Sequence, residues 1–329
     1  EYTSPRGYVA PRAGTTIVID GKLDDAGWTA APWSEEFIDI EGDIKPKPRF
    51  RTRMKMTWDD DALYIAAELQ EPHVWGKLTQ HDAVVFHDND FEVFLDPDDD
   101  THMYGEVELN ALNTTWDLLL SKPYRAGGKA VDDWEIAGLK TAVHVDGTLN
   151  DPHDEDRGWT LEIAWPWPNL KQIGAPRSPP RVGDQWRINF SRVEWDIDIV
   201  DGKYRKIAKR PEHNWVWSPQ HAIDMHRPEH WGYLQFGGSH GKDMTFRPDA
   251  TGPARVLLQR IHDAQRDYRV NHDRYAESLA ALGLTGLTHE SITGAPRLEA
   301  TTNGYEASVK VRDGPRVRIR DDNRVTLEE

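Results

Sequence analysis

Short apolar stretches that alternate with polar residues recur through the first two thirds of the chain. They are rich in β-branched and aromatic residues and stand between clusters of Gly, Pro, Asp and Asn. Because this alternation has a period of two and long 3.6-residue periods are absent there, it predicts a mainly β, antiparallel, jelly-roll-like β-sandwich with long loops. The predicted strands are TTIVID, RTRMKMTW, ALYIAAEL, FEVFLD, EVELNA, WDLLL, GLKTAVHV, GWTLEIAW, QWRINFSRVEW and GYLQF.

The last third of the chain has a different pattern. Apolar residues recur there at helical spacing and predict a helix over about 253–270, followed by the alternating strands YEASVKV, RVRI and RVTL. The helical positions are Val256, Leu257, Ile261, Ala264 and Tyr268. A Gly-rich segment at 237–252 precedes the helix, so we expect two domains, a β-sandwich over 1–239 and a small α+β unit over 240–329.

Composition supports this division. Residues 240–329 carry 14 basic and 14 acidic residues, so the net charge of −16 belongs to residues 1–239. All 14 tryptophans lie between Trp28 and Trp231. An acidic domain repels a phosphate backbone and an anionic membrane surface, which makes nucleic acid an unfavourable partner.

The sequence lacks three features that would indicate a membrane span, a signal peptide or cysteine chemistry. The 329 residues contain no apolar run of about 18, so we expect no membrane-spanning helix. The first residues have no apolar signal-peptide core, and we expect the chain to start like a mature or trimmed protein. Zero cysteines exclude disulfides, thiolate metal sites and a cysteine nucleophile.

Two predicted strands place acids on a common face. Alternation separates the apolar side chains of FEVFLD and EVELNA from their polar ones. If these strands are neighbours, a polar surface results that is either solvated or a binding face, and its concentration of acids and amides favours binding. The polar residues of this face are Asp90, Glu92, Glu106, Glu108 and Asn110.

Tryptophan usage points to sugar recognition. Indole rings stack on the C–H faces of a pyranose, while carboxylates and amides bond to its hydroxyls. Trp75, Trp215 and Trp217 have the polar and proline neighbours that are typical of loops, so we expect them to be available to a ligand. The tryptophans inside or beside strand patterns are expected in the core, namely Trp28, Trp58, Trp159, Trp186 and Trp231.

Five ordered motifs carry a resemblance to a known family. They are IDGKLDDAGW (19–28), WDDDALYIAA (58–67), DNDFEVFLD (88–96), GWTLEIAWP (158–166) and GDQWRINFSR (183–192). In this order they resemble the family 9 carbohydrate-binding modules over roughly residues 15–237.

The resemblance implies an exported bacterial module of polysaccharide-degrading systems, secreted, periplasmic or at the cell surface. Such a module holds an oligosaccharide or polysaccharide between two tryptophans and carries structural calcium. On this chain Glu92 matches the sugar-contacting glutamate, and Glu108 and Asn110 lie in the next strand. Trp75 and Trp217 match the clamp best, with Trp215 as the substitute for the latter. A basic residue is common in the family where this chain has Glu108, which changes the expected sugar.

An enzyme on the same fold is the rival hypothesis. A glycoside hydrolase needs two carboxyl groups, one of them protonated, and Glu92, Glu108, Asp117 and Glu194 supply enough acids. Histidines could add a base or a metal, the candidates being His87, His226 and His230. Haem binding is known for related sandwiches, and Met225 with His226 would be the axial ligands.

Two acidic turns are candidate calcium sites, because they concentrate hard oxygen ligands. Each is either a metal site or a solvated turn. The first comprises Asp96, Asp98 and Asp100, and the second comprises Asp151, Asp154 and Asp156.

The C-terminal unit carries a weaker resemblance. Its segments AQRDY (264–268), DRYA (273–276) and LAALGL (279–284) are similar to the helix-to-strand region of bacterial pseudopilins. With neutral charge and no tryptophan, the unit is expected to be a packing appendage or a docking unit for a protein partner.

Overall fold

Two β-sheets face each other in the first two thirds of the chain, and an α+β unit follows. The computed structural model describes residues 4–239 and 242–329, and within them the predicted mainly β sandwich is confirmed. The strands are β1 (Gly7–Ala10), β2 (Ile38–Asp39), β3 (Thr52–Trp58), β4 (Ala62–Gln70), β5 (Asp90–Asp96), β6 (Tyr104–Asn110), β7 (Thr115–Leu120), β8 (Ala130–Val131), β9 (Lys140–Asp146), β10 (Gly158–Pro166), β11 (Gln185–Glu194), β12 (Ile197–Val200), β13 (Lys203–Lys206), β14 (His213–Val216), β15 (Gly232–Phe236), β16 (Ile292–Ala300), β17 (Tyr305–Val311), β18 (Arg316–Arg320) and β19 (Val325–Glu328). The α-helices are α1 (Trp167–Leu170) and α2 (Gly252–His272).

The larger sheet of the sandwich has nine strands. Its order is β1-β15-β11-β5-β6-β7-β8, with β14 paired to the second half of β11 and β2 paired to β14. Only the β1–β15 pair is parallel among the described strands of this sheet. The smaller sheet is antiparallel in the order β3-β4-β10-β9, and β12 and β13 form a separate hairpin.

The core lies between the inner faces of the two sheets. Phe91, Val93 and Leu95 of β5 point into it and share one cluster with Ile65 of β4 and Ile163 of β10. This burial of alternate apolar residues fixes the register of β5 and turns its polar residues to the opposite face. The five tryptophans that we expect in the core are all buried, namely Trp28, Trp58, Trp159, Trp186 and Trp231.

One predicted strand does not form. The segment TTIVID (15–20) has no strand partner, although Ile17 is buried. Carboxylates take the place of a strand neighbour, because Glu162 accepts hydrogen bonds from the backbone N–H groups of Asp20 and Gly21, and Asp25 accepts one from Val18. Period-two alternation alone does not show that side-chain carboxylates, instead of a neighbouring strand, bond to the backbone of this segment.

The C-terminal helix forms where its periodicity predicts it. Leu257 and Ile261 of α2 are buried against the sheet β16-β17-β18-β19, as expected. Val256 is exposed instead, and Leu258 takes its place in the apolar stripe. The sequence does not predict strand β16, because its segment ITGAPRLEA lacks clear alternation and contains Gly and Pro.

The turn after β5 joins the C-terminal unit to the sandwich. Arg255 of α2 donates to the Asp99 carbonyl oxygen (2.8 Å) and forms an ion pair with its carboxylate (3.2 Å). Arg324 bonds to the Asp100 carboxylate (2.7 Å), and the backbone N–H of Val325 donates to the Asp100 carbonyl oxygen. No helix of the described residues has the length and apolar character needed to cross a bilayer.

Candidate functional site

The outer face of the larger sheet carries a row of buried acids. Strands β5 and β6 are neighbours, and Glu92 lies directly opposite Glu108, as the alternation requires. Asp90 lies opposite Asn110, and Glu106 lies opposite Phe94. Carboxyl groups thus concentrate on the side of the sheet that faces away from the core.

A cavity of about 270 Å³ opens above these acids. Its walls combine carboxyl groups with aromatic rings, of which Phe86 and Trp116 are partly exposed and stacked, with ring centroids 6.5 Å apart and planes at 26°. Tyr124 lies at the mouth and is 47% exposed. The full lining is Ile40, Phe86, Glu92, Phe94, Glu106, Glu108, Trp116, Leu118, Tyr124, Val193, Glu212, Asn214, Ile223, Asp224, Met225 and His226.

Hydrogen bonding leaves part of the acidic row unsatisfied. Glu108 accepts a bond from the backbone N–H of Phe86 (3.0 Å), and Asp90 Oδ1 accepts one from Val193 (3.3 Å). Asp90 Oδ2 and Glu106 Oε2 are buried and have no hydrogen-bond partner among the described residues. Since buried polar atoms are normally paired, the oxygen of Glu106, which lines the cavity, is available to a ligand.

Burial and mutual repulsion weaken the acidity of these groups. Burial raises the pKa of Glu92 to about 7. Burial and the charge on Glu92 raise the pKa values of Asp90, Glu106 and Glu108 well above their usual range. Each of the four carboxyl groups therefore keeps its proton to a higher pH than an exposed carboxyl group does, and a protonated carboxyl group can donate as well as accept a hydrogen bond.

His226 closes one side of the cavity. Its Nδ1 lies 2.9 Å from the Tyr104 hydroxyl, and its Nε2 lies 4.0 Å from Glu106 Oε2. Burial and the nearby Arg125 guanidinium lower the pKa of His226 to about 4, so the imidazole is neutral at neutral pH. It can take part in a hydrogen-bond network but does not neutralise the acids.

The haem hypothesis does not fit this geometry. His226 is engaged by Tyr104, and the Met225 carbonyl oxygen accepts a bond from Trp231 Nε1 (2.8 Å). Met225 is buried beside Trp231. Consecutive residues held in this way cannot reach the two opposite faces of one macrocycle.

Asn110 holds a loop in place. Its Nδ2 donates to the Leu78 carbonyl oxygen and to Asp88, while its Oδ1 accepts from the backbone N–H groups of Leu112 and Thr114. With both ends of the amide satisfied and the side chain buried, its predicted role as a sugar contact is wrong.

The predicted tryptophan clamp is also wrong at these positions. Trp75, Trp215 and Trp217 are only 2%, 3% and 1% exposed. Trp215 lies in β14 rather than in a loop, and it points with Trp217 into the core between the sheets. A sugar ring needs an open indole face, which none of the three presents.

The four proposed catalytic acids do not come together. Glu92 and Glu108 share the cavity, but Asp117 lies on the inner side of β7 and accepts a bond from the backbone N–H of Ile136. Glu194 lies on the inner side of β11 and is bonded to Arg49 and Arg192. The side-chain alternation of each strand therefore separates Asp117 and Glu194 from the other pair.

The two remaining histidines lie elsewhere. His87 is exposed. His230 lies 3.8 Å from Glu229, and burial lowers its pKa to about 4. Neither lines the acidic cavity.

The first acidic turn brings its three carboxylates together. Oxygens of Asp96, Asp98 and Asp100 lie within 4.8 Å of one another, and Asp96 Oδ1 and Asp98 Oδ1 have no hydrogen-bond partner among the described residues. Burial and the Asp100 charge raise the pKa of Asp98 to about 6. Such unpaired hard oxygens fit a calcium ion, which would also relieve their repulsion.

The second acidic turn does not form such a group. Asp156 accepts bonds from the backbone N–H groups of Val74 and Thr148, and Asp154 accepts one from the Thr148 hydroxyl. Asp151 bonds to His153. Because the described residues show no three-ligand group here, the structure supports this turn less than the first, and the metal site from Asp151, Asp154 and Asp156 stays a prediction.

Three acids converge at the cavity, and two of them, Glu92 and Glu108, line it. One oxygen each of Asp90, Glu92 and Glu108 lies within 4.8 Å of the others. These side chains are all buried, unlike those of an ordinary solvated acidic turn. A positive charge of some kind would therefore be stabilised at this point.

A larger groove of about 1070 Å³ lies on the outer face of the smaller sheet. Its guanidinium groups are already paired, since Arg51 and Arg53 both contact Glu68 (2.5 and 3.3 Å). Trp33 is covered by Arg53 and Lys55, whose cationic groups lie 4.2 and 4.7 Å from the ring centroid. Arg53 Nε of the groove also lacks a hydrogen-bond partner among the described residues. We favour the smaller cavity because it combines an unpartnered carboxyl oxygen, Glu106 Oε2, with the stacked rings of Phe86 and Trp116.

Sequence reasoning missed the aromatic walls of the cavity. Trp116 could have been found, because alternation along β7 places it on the same face as Glu108, its cross-strand partner. Phe86 comes from a 3₁₀ turn at Val85–His87, and Tyr124 comes from one at Tyr124–Ala126. No periodic signal in the sequence marks these two loop residues.

The chain is similar to one described protein family and to several solved structures. The family model described as carbohydrate family 9 binding domain-like matches residues 19–215. A family 9 carbohydrate-binding module from Caldicellulosiruptor kristjanssonii in complex with cellotriose is 17% identical, with a TM-score of 0.47, over 74% of this chain and 100% of that one. A putative carbohydrate-binding protein from Bacteroides uniformis ATCC 8492 is 17% identical, with a TM-score of 0.49, over 71% and 100%. No curated protein matches the chain.

Proposed function

The chain belongs to the carbohydrate family 9 binding domain-like proteins, and we propose on this basis that it binds an oligosaccharide or polysaccharide in the 270 Å³ cavity. The binding groups we assign differ from the predicted clamp. Phe86, Trp116 and Tyr124 replace the three buried tryptophans. Glu92 and Glu108 remain, as expected, the carboxyl groups that contact the sugar.

The chemistry of the walls supports this assignment. Partly exposed aromatic rings can cover the apolar face of a pyranose, and protonated carboxyl groups can both accept from and donate to its hydroxyls. The observation that carries the proposal is the unpartnered Glu106 Oε2, which lines a cavity walled by Phe86 and Trp116. A ligand hydroxyl would satisfy that oxygen.

The test is a glycan array combined with product analysis. We expect the protein to retain at least one oligosaccharide and to release no products from acidic, neutral or sulfated polysaccharides. Binding should be lost in Phe86→Ala, whose side chain is partly exposed, so that folding is preserved. Failure of the wild type to retain any glycan would contradict the proposal.

A glycoside hydrolase is the second candidate function. Glu92 and Glu108 are close and buried, and raised pKa values keep protons on such a pair near neutral pH, as an acid catalyst requires. In a binding module, Glu92→Gln should weaken affinity, and there is no turnover to lose. Release of reducing ends by the wild type, lost in a Glu92→Gln protein that still binds, would favour the enzyme.

Further expectations remain proposals. We propose that calcium binds at Asp96, Asp98 and Asp100, and that the protein acts outside the cytoplasm, at the cell surface, in the periplasm or secreted. We also propose that the C-terminal unit is an appendage that packs on the sandwich, which the contacts of Arg255 and Arg324 support. Its pseudopilin-like origin and a protein partner stay predictions.

A further inference from the structure

The charge of the cavity is unusual for a site that binds a neutral sugar. Five carboxyl groups line it and no lysine or arginine does, the acids being Glu92, Glu106, Glu108, Glu212 and Asp224. The nearby guanidinium of Arg125 forms an ion pair with Glu229 (2.8 Å), and it lies 4.0 Å from Asp224. His226, the remaining basic group of the lining, is neutral at neutral pH.

The floor of the cavity is arranged for a positive charge. Glu92 and Glu108 lie opposite each other there, with an oxygen of Asp90 within 4.8 Å, and the buried Glu106 Oε2 of the lining has no hydrogen-bond partner among the described residues. Ionising such a group without a counter-charge is unfavourable, because burial removes the solvation of each carboxylate. A cation from the ligand would supply both the missing charge and the missing donors.

The side chains that line the cavity fit an organic cation better than a metal ion. A calcium ion needs six to eight oxygen ligands in a compact sphere and gains little from Phe86, Trp116 and Tyr124 around a 270 Å³ space. An ammonium group carried on a pyranose ring uses both parts of the site. The ring stacks on the aromatic side chains, the ammonium bonds to the acids, and the π-faces add attraction for the cation.

We propose that the cavity selects amino sugars, that is, pyranose units whose ring carries a protonated amine, over neutral sugars. This inference rests on the proposed function, since it assigns the substrate class of the same site. Glu108 contributes most directly to the preference, because it lies at the centre of the acidic row between Glu92 and Trp116.

Three trisaccharides with the same β-1,4-linked backbone provide the test. Cellotriose carries a hydroxyl at C2, the N-acetylglucosamine trimer a neutral amide and the glucosamine trimer an ammonium. Calorimetry in 0.15 M salt with a chelator present should show at least tenfold tighter binding of the glucosamine trimer by the wild type. Glu108→Gln should abolish the preference, and Glu106→Gln provides a second variant if the first does not fold.

Glu155→Gln is the matched control for general attraction between an acidic protein and a cationic ligand. Glu155 is exposed and lies outside the cavity, so this variant should keep the full preference. An equal loss of preference in Glu155→Gln and Glu108→Gln would overturn the inference.

The remaining outcomes separate this inference from the proposed function. Equal affinity for all three trimers, or tighter binding of cellotriose, would overturn amino-sugar selection and leave the proposed function standing. Absence of binding to the trimers and to every glycan of the array would overturn both. Calcium binding that Glu108→Gln abolishes, without discrimination among the trimers, would assign the floor to a metal.

Discussion

Replacing Glu92 by glutamine should reduce the loss of folding stability that the protein suffers as the pH rises. Burial raises the pKa of Glu92 from the usual value of a glutamate to about 7 in the folded state. The folded protein therefore binds a proton that the unfolded chain releases near pH 4 to 5. Stability from this group is fully present below that range and is lost as the pH rises through about 7.

The size of the effect follows from the shift in pKa. Each unit corresponds to about 1.4 kcal/mol, so ionising Glu92 costs the folded state on the order of 3 kcal/mol by pH 8. Glutamine has the same shape and never ionises. The midpoint of Glu92→Gln should exceed that of the wild type by roughly 5 °C at pH 8 and by little at pH 4.5.

Thermal unfolding of both proteins at these two pH values, followed by tryptophan fluorescence with a chelator present, measures the difference. Glu155→Gln makes the same chemical change at an exposed position and should show no pH-dependent gap. A gap between Glu92→Gln and the wild type that is equal at both pH values, or larger at pH 4.5, would refute the assignment of a buried, protonated Glu92.

Three further predictions address the metal, the core tryptophans and the C-terminal unit. Millimolar calcium should raise the melting midpoint of the wild type and of Asp154→Asn but not that of Asp98→Asn. An unchanged wild-type midpoint in calorimetry would contradict the proposed calcium site. Trp217→Ala should cost about 3–5 kcal/mol of stability, measured by denaturant unfolding, because the ring is buried in the core; full stability would contradict that burial. Arg255→Ala should speed proteolysis within 237–252, whereas the exposed Arg297→Ala should not; equal cleavage rates would argue against the Asp99 contact.

Local alternation accounts for what the sequence could predict. The faces of β5 and β6 follow from period two, and these strands pair with Glu92 opposite Glu108. The turn from Asp96 to Asp100 brings its carboxylates together because all three acids lie within five residues. The acids of the turn at Asp151–Asp156 do not converge in this way, and the backbone N–H of Val74, distant in sequence, donates to Asp156.

Long-range packing accounts for the features of the site that the sequence could not predict. The neighbours of Trp215 and Trp217 are typical of a loop, yet β14 pairs with β11 and turns both rings into the core. Phe86 and Tyr124 line the cavity from two separate 3₁₀ turns, and no local pattern encodes their meeting there. Burial of an aromatic residue depends on its partners across the fold, and these the local sequence does not specify.

The most direct test of the carbohydrate site compares two tryptophans on opposite outer faces of the sandwich. Trp116 lines the acidic cavity, Trp33 lines the groove of the other sheet, and both are partly exposed. In calorimetry with the best glycan of the array, Trp116→Ala should lose about tenfold or more in affinity, as expected from removal of a stacking surface, and Trp33→Ala should bind like the wild type. Loss of binding in Trp33→Ala with full binding in Trp116→Ala would contradict the account and move the site to the opposite face.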